Sequence, residues 1–238
     1  MTPAPAGTPV LEIDGVSKKY GGLRPLRIHR LTVAAGERVA ISGIDAAATE
    51  LLVNLITGAS LPDTGRVLVL GRSTAEIAAG DDWLASLDRF GIVSERAVLL
   101  EGSTLAQNLA LPFTLAIDPV PADVRPRVEA LAAECGIDQA WLDRAAGDVP
   151  PAVRARVHLG RAVALEPALL ILEHPTASLA PPEHRALAAD IARIAGARGM
   201  AALVVSMDHA FGHAVAHRTL ALHGATGDVR PVRKGWFR

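Results

Sequence analysis

The segment from residue 38 to residue 58 constrains the fold of this chain most strongly. The short, largely apolar run Arg38 to Ser42 predicts a buried strand. Gly43 then marks a turn, and the residues after it lead into a helix over Leu51 to Gly58. A strand, a glycine turn and a helix in immediate succession are typical of an α/β domain.

The spacing of this segment matches a phosphate-binding loop, whereas its residue types do not. In such a loop the glycine-rich backbone surrounds the phosphates, a lysine reaches the terminal ones, and a serine or threonine hydroxyl holds magnesium. Counted from Gly43, the second glycine, the lysine and the hydroxyl are replaced by Ala48, Thr49 and Glu50. The candidate nucleotide-binding residues of this loop are Gly43, Ile44, Asp45, Ala46, Ala47, Ala48, Thr49 and Glu50.

These replacements make the loop about three charge units less positive than the phosphate-binding pattern. Thr49 removes a positive charge, while Glu50 and Asp45 each add a negative one. One unit charge at ~4 Å contributes about 4 kcal/mol at an effective dielectric constant of about 20, as much as the whole binding free energy of a millimolar ligand. The helix dipole supplies only about 1 kcal/mol in return. We therefore predict very weak binding of Mg-ATP and no hydrolysis.

The rest of the chain predicts one domain with a helical insertion. Strand-like and helix-like segments alternate before residue 90 and after residue 150, with a mainly helical block at about 95–150. Within that block, Thr104 to Gln107 matches a helix capping box. We expect the domain to span residues 10–224, with residues 1–9 disordered and residues 225–238 forming a tail.

Charge and cysteine content exclude several classes of protein. With 24 basic and 25 acidic residues the net charge is −1, which gives no reason to expect a nucleic-acid partner. Cys135 is the one cysteine, so an internal disulfide is excluded and a reducing compartment is favoured. The first residues do not resemble a signal peptide, and the apolar runs are too short to span a membrane. We expect a protein that reaches a membrane through a partner.

Several segments, in register, resemble one family. Arg161 to Leu179 closely resembles the Walker B region of ATP-binding-cassette (ABC) transporter ATPases, and Tyr20 lies where that family stacks an aromatic ring on adenine. Phe90 to Glu95 resembles its glutamine loop, and Ser206 to Asp208 its switch region. The match runs from Tyr20 to about Gly224. It implies a P-loop NTPase core of ABC type with a mainly parallel sheet, a small N-terminal antiparallel β subdomain and an inserted α-helical subdomain.

The resemblance also implies roles for individual positions. Glu173 stands where the family has the aspartate that holds magnesium, with Glu50 at the second magnesium position, and His174 replaces the glutamate that acts as general base. Glu95 replaces the glutamine that orients water, and Met207 replaces the switch histidine.

The signature loop, which binds the γ-phosphate across a dimer through backbone N–H groups, aligns with Val149 to Val153. This stretch contains Pro150 and Pro151, and proline has no N–H to donate. Both halves of a composite ATP site are therefore altered in this chain. Pairing with an intact ATPase would then compromise both sites of the dimer.

The favoured function is a non-hydrolysing structural or regulatory subunit of a membrane transport complex. We expect it to be cytoplasmic and peripheral to the inner face of the membrane. Its expected partner is a membrane-spanning permease subunit, and another ABC ATPase subunit is a second candidate. ATP and Mg²⁺ are the cofactors that the family implies, with weak or no binding here. The alternatives are an active ATPase in which Glu173 and Glu50 assist magnesium and His174 is the base, and a soluble scaffold unrelated to transport.

Three other features have simpler interpretations beside functional ones. Tyr20 suits core packing as well as adenine stacking. His209, His213 and His217, at spacing i, i+4, i+8 on a predicted helix, provide a candidate zinc pair or a polar helix face. The basic, aromatic-containing end from Arg230 to Arg238 suits a partner or an anionic membrane surface, or is a loose tail.

Overall fold

A computed structural model of the chain describes residues 9–79, 83–94 and 96–232. Within these ranges ten strands form two sheets. The strands are β1 (Pro9–Lys18), β2 (Leu26–Ala34), β3 (Arg38–Ser42), β4 (Thr64–Val69), β5 (Arg72–Ser73), β6 (Phe90–Val93), β7 (Leu169–Glu173), β8 (Ala201–Val205), β9 (Arg218–His223) and β10 (Asp228–Pro231). The helices are α1 (Ala46–Thr57), α2 (Thr74–Ala79), α3 (Trp83–Leu87), α4 (Leu105–Ala110), α5 (Arg125–Glu134), α6 (Pro151–Val163), α7 (Pro181–Ala197) and α8 (His209–Val215).

The larger sheet has the order β10-β9-β3-β8-β7-β6, with parallel pairing throughout except between β9 and β10. The smaller sheet, β2-β1-β4-β5, is antiparallel. The predicted fold class, a mainly parallel core sheet with an antiparallel N-terminal sheet, is confirmed. The carboxyl ends of β3, β6 and β7 lie at one edge of the larger sheet, where ligands of such sheets bind.

The parallel strands are buried on both faces, which is why they are continuous apolar runs in the sequence. Leu170 and Leu172 of β7 face one hydrophobic cluster, formed with α4 to α8, and Leu169 and Ile171 face another, formed with α1 and the smaller sheet. Cys135 belongs to the first cluster, and burial raises the pKa of its thiol to about 12. Its thiol is therefore a core group rather than a nucleophile.

Short helices separate β6 from α6. The capping box at the start of α4 is present, since the Thr104 hydroxyl accepts from Gln107 N at 3.1 Å and the Gln107 side-chain oxygen accepts from Thr104 N at 2.8 Å. α5 follows after a loop, and two 3-10 turns then lead to α6. Arg198, the residue that follows α7, donates to the Glu134 carboxylate at the end of α5, which joins this block to the core.

The prediction of a tail from residue 225 is wrong for residues 228–231, which form β10. Gly227, with φ +87°, closes a turn in which its N–H and that of Thr226 both bond to His223 O. Gly227 O also accepts from His29 N of β2 at 2.9 Å. β10 is a polar edge strand that depends on these long-range contacts, so its sequence carries little local signal. Pro9, the last residue of the predicted disordered N-terminus, belongs to β1 and pairs with Ala34. Residues 1–8 and 233–238 lie outside the described residues.

Among the described residues no helix is long and apolar enough to cross a membrane.

Candidate functional site

Gly43 begins the loop between β3 and α1, and packing against a neighbouring strand requires a glycine at this position. Its φ is +83°, in the left-handed region that favours glycine. A Cβ atom at this position would lie 2.5 Å from the carbonyl oxygen of Leu222 in the neighbouring strand β9. The close approach of two backbones therefore explains this glycine without any phosphate ligand.

Asp45 caps the helix that follows. Its carboxylate Oδ1 accepts a hydrogen bond from Ala48 N at 2.8 Å, and its carbonyl oxygen accepts from Thr49 N at 2.8 Å. A helix N-terminus binds anions through such free N–H groups. Here a carboxylate of the chain itself already occupies one of them, and its negative charge opposes a second anion.

Thr49 and His174 meet at the centre of the site. Thr49 is fully buried on α1, and its Oγ1 lies 3.2 Å from His174 Nε2, within hydrogen-bond distance. His174 follows β7 with φ +43°, and its backbone N–H donates to Val205 O of β8 at 2.9 Å. Thr49 replaces the lysine of the phosphate-binding pattern, and His174 replaces the family's general base. The structure brings these two positions together, and their side chains lie within hydrogen-bond distance of each other.

Arg96 was missed by the sequence reasoning and is the central cation of the site. Its Nη1 lies 2.7 Å from Glu50 Oε1, and its Nη2 lies 2.8 Å from both carboxylate oxygens of Glu173. Ser94 adds a hydrogen bond from its hydroxyl to Glu173 Oε2 at 3.2 Å. The signal available in the sequence was the pair of carboxylates itself, because a buried carboxylate such as Glu173 requires a cationic partner.

Tyr20 lines a separate cleft of about 480 Å³ beside the loop, together with Arg24, Gly43, Asp45 and Ala48. Its ring lies close over Gly22, where an added Cβ would be 2.6 Å from Tyr20 Cζ. Burial and the nearby Asp45 carboxylate raise the pKa of the Tyr20 hydroxyl. The ring also packs against the core cluster of the smaller sheet, so the predicted packing role is present, and adenine stacking stays a prediction.

Comparison with known proteins identifies the family. The family model for ABC transporters matches residues 26–177, more than half of the chain. The chain belongs to the ABC transporter ATP-binding family. The family in general binds ATP and Mg²⁺.

Curated relatives include import proteins of several bacteria. The chain is 28% identical over 237 residues, 98% of its length, to the methionine import ATP-binding protein MetN of Brucella abortus, of which it covers 62%. It is 34% identical over 179 residues to MetN of Caulobacter vibrioides, covering 72% of this chain and 52% of the relative. An Fe(3+) ions import protein, FbpC of Mesorhizobium japonicum, is 30% identical over 84% of this chain and 54% of its own length. The chain therefore spans between half and two thirds of these relatives.

Solved structures agree on the fold. The cbiO1 protein of Clostridium perfringens, part of the ABC transporter complex cbiONQ, superposes with a TM-score of 0.76 at 20% identity, covering 93% of this chain and 87% of that protein. The dimeric structure of the bacterial ABC transporter cassette MJ0796 gives a TM-score of 0.74 at 20% identity, covering 94% of this chain and 99% of that one.

The segment at the family's signature position begins α6. Pro150 is the N-cap residue and Pro151 the first helical residue, an arrangement that suits helix initiation. Because neither proline has an N–H group, this helix start lacks two of the donors that would face a phosphate. Met207, at the switch position, is 58% exposed and has only a thioether, a weak acceptor.

Mg-ATP does not fit these residues as they are arranged. The space between the carboxylates at the family's magnesium positions, Glu50 and Glu173, is taken by the Arg96 guanidinium. The loop presents the Asp45 carboxylate where the family pattern needs neutral N–H donors. A metal would have to displace a fixed cation, and a triphosphate would have to approach an anion. Glu95, the position of the family's glutamine, lies outside the described residues.

The predicted histidine set is wrong in its geometry. α8 ends at Val215, so His217 does not share a helical face with His209 and His213. His217 Nδ1 accepts from Arg38 N at 3.2 Å, and burial together with the Arg38 charge lowers the pKa of His217. His213 Nδ1 lies 3.4 Å from Thr219 Oγ1. Across the part of the chain that the structure describes, no group of three or more potential ligands could hold a metal ion.

Proposed function

We propose that this chain is a non-hydrolysing ATP-binding-cassette subunit with a structural or regulatory role in a membrane transport complex. The observation that carries the proposal is the bridge formed by Arg96 between Glu50 and Glu173. In an active cassette these positions must bind a mobile divalent cation that accompanies ATP. A cation that belongs to the chain cannot arrive with the nucleotide or leave with the product.

The active-ATPase alternative needs His174 as a base, and two features oppose it. His174 Nε2 is engaged with Thr49 Oγ1, and the side chain at the lysine position is neutral. A base must reach the attacking water, so the Thr49 contact would have to break first. The signature prolines oppose it further, because a partner subunit would gain little phosphate binding from this helix start.

Transport complexes of the import type are the context that the relatives suggest, since MetN and FbpC are named import ATP-binding proteins. We place this chain at the cytoplasmic face of the membrane, bound to a permease subunit. Exposed apolar side chains of the segments flanking α4 support such a contact: Val98 is 74% exposed, Leu100 45% and Leu115 88%. Apolar side chains in water are typical of protein contact surfaces when they cluster.

The direct test is to measure ATP binding and phosphate release on the same purified chain. We expect titration calorimetry with Mg-ATP to show no saturable binding in the micromolar range, and phosphate release to stay at the buffer rate. The measurement is repeated after co-expression with a candidate permease subunit, since a partner can complete a site. Phosphate release that scales with protein concentration would establish the active alternative instead. Micromolar affinity without phosphate release would overturn the prediction of weak binding and leave the non-hydrolysing function in place.

A further inference from the structure

Three charged side chains converge on one point from three separate parts of the fold. Glu50 comes from the first turns of α1, Glu173 from the end of β7, and Arg96 from the segment after β6. The guanidinium uses one terminal nitrogen for each carboxylate, at 2.7 Å to Glu50 and 2.8 Å to Glu173. A planar group with several N–H donors is suited to bridging two carboxylates in this way, and a lysine ammonium is less so.

The burial of the three groups is unequal, and this decides which contact matters most. The Glu173 side chain is 7% exposed, whereas those of Arg96 and Glu50 are 46% and 50% exposed. A nearly buried carboxylate needs a compensating cation far more than a half-exposed one does. Apart from Arg96, Glu173 is bonded to the uncharged Ser94 hydroxyl. Arg96 therefore carries the charge compensation of Glu173.

We infer that Arg96 replaces the divalent cation of the family's site: its guanidinium is a built-in counter-ion that joins α1 to β7, so the site is assembled without metal. The inference rests on the proposed function, because it explains how a non-hydrolysing cassette keeps the carboxylates at its magnesium positions. Arg96 acts here as a positioning residue. Its removal would leave two carboxylates and a hydroxyl with no cation between them.

The test compares Mn²⁺ binding and thermal stability in four variants. Mn²⁺ alone is titrated and its free concentration is followed by electron paramagnetic resonance. We expect Arg96→Met to bind Mn²⁺ at least about tenfold more tightly than the wild type, because a competing positive charge is removed. Arg96→Lys keeps the charge and is expected to gain no affinity. Arg96→Met/Glu173→Gln is expected to lose the gain, because it removes the most buried carboxylate.

Arg66→Met is the matched control, since Arg66 forms an exposed ion pair with Asp14 on the smaller sheet. It is expected to behave as the wild type in both measurements. In the thermal scans Arg96→Met is expected to melt about 5 °C lower than the wild type, and added Mn²⁺ to recover part of this loss. The wild-type melting temperature is expected to be unchanged by Mn²⁺ or by EDTA.

Two results would overturn the inference. One is folded Arg96→Met with wild-type Mn²⁺ affinity; the other is a wild-type melting temperature that rises with Mn²⁺, which is informative even where Arg96→Met does not fold. Failure of the proposed function is seen separately, as phosphate release by the wild type. ATP hydrolysis by the wild type, together with the expected Mn²⁺ results, would reject the proposed function and keep the role of Arg96. Absence of hydrolysis, together with either of the two overturning Mn²⁺ results, would keep the proposed function and reject the role of Arg96.

Discussion

Gly43→Ala is expected to lower the free energy of unfolding by about 3 kcal/mol. The alanine would have to adopt φ +83°, and its Cβ would lie 2.5 Å from Leu222 O. Because that oxygen belongs to the backbone of β9, it cannot move aside as a side chain would. Urea unfolding followed by circular dichroism measures the effect.

Gly224→Ala is the matched control for this prediction. Gly224 lines the same cleft, is also exposed, and has nothing within 4 Å of the position of an added Cβ. It is expected to unfold within about 0.5 kcal/mol of the wild type. If Gly43→Ala is as stable as the wild type, packing does not require a glycine at this position. Binding of a phosphate ligand would then again be a candidate explanation for the glycine.

The double substitution Thr49→Lys/Glu50→Ser is expected to strengthen ATP binding by roughly a hundredfold, about 2.7 kcal/mol. It changes the charge of the loop by two units, restores the lysine and the hydroxyl of the phosphate-binding pattern, and removes the Glu50 contact of Arg96. Titration calorimetry with Mg-ATP measures the gain.

Thr49→Met/Glu50→Ser is the control that has a long side chain without the charge, and it is expected to show a clearly smaller gain. Hydrolysis is expected to remain absent in both variants, because His174 and the Pro150–Pro151 helix start are unchanged. If Thr49→Lys/Glu50→Ser binds ATP with the affinity of the wild type, charge is not what limits nucleotide binding at this loop. Asp45, which still caps α1, would then be the next group to replace.

The sequence predicted the elements whose signals are local. Each of these signals lies within a few neighbouring residues, so it could be recognised without knowledge of the fold. Examples are the apolar run ending at Leu172, the capping box at Thr104 and the glycine turn at Gly43. The candidate loop and the replacements at Glu50, Glu173 and His174 were found in the same way. β10 could not be, since a polar edge strand is stabilised by pairing with β9 and by contacts with β2.

The α/β fold, the position of the loop and its loss of positive charge could all be predicted from the sequence, because they follow from short-range patterns and from counting charges. The pairing of the remaining charges could not be predicted and depends on the folded arrangement. The fold places Arg96 between Glu50 and Glu173, and Thr49 against His174, although the bridged carboxylates are more than a hundred residues apart. Ion pairing depends on distance in space and on burial, and the sequence separation of two residues specifies neither.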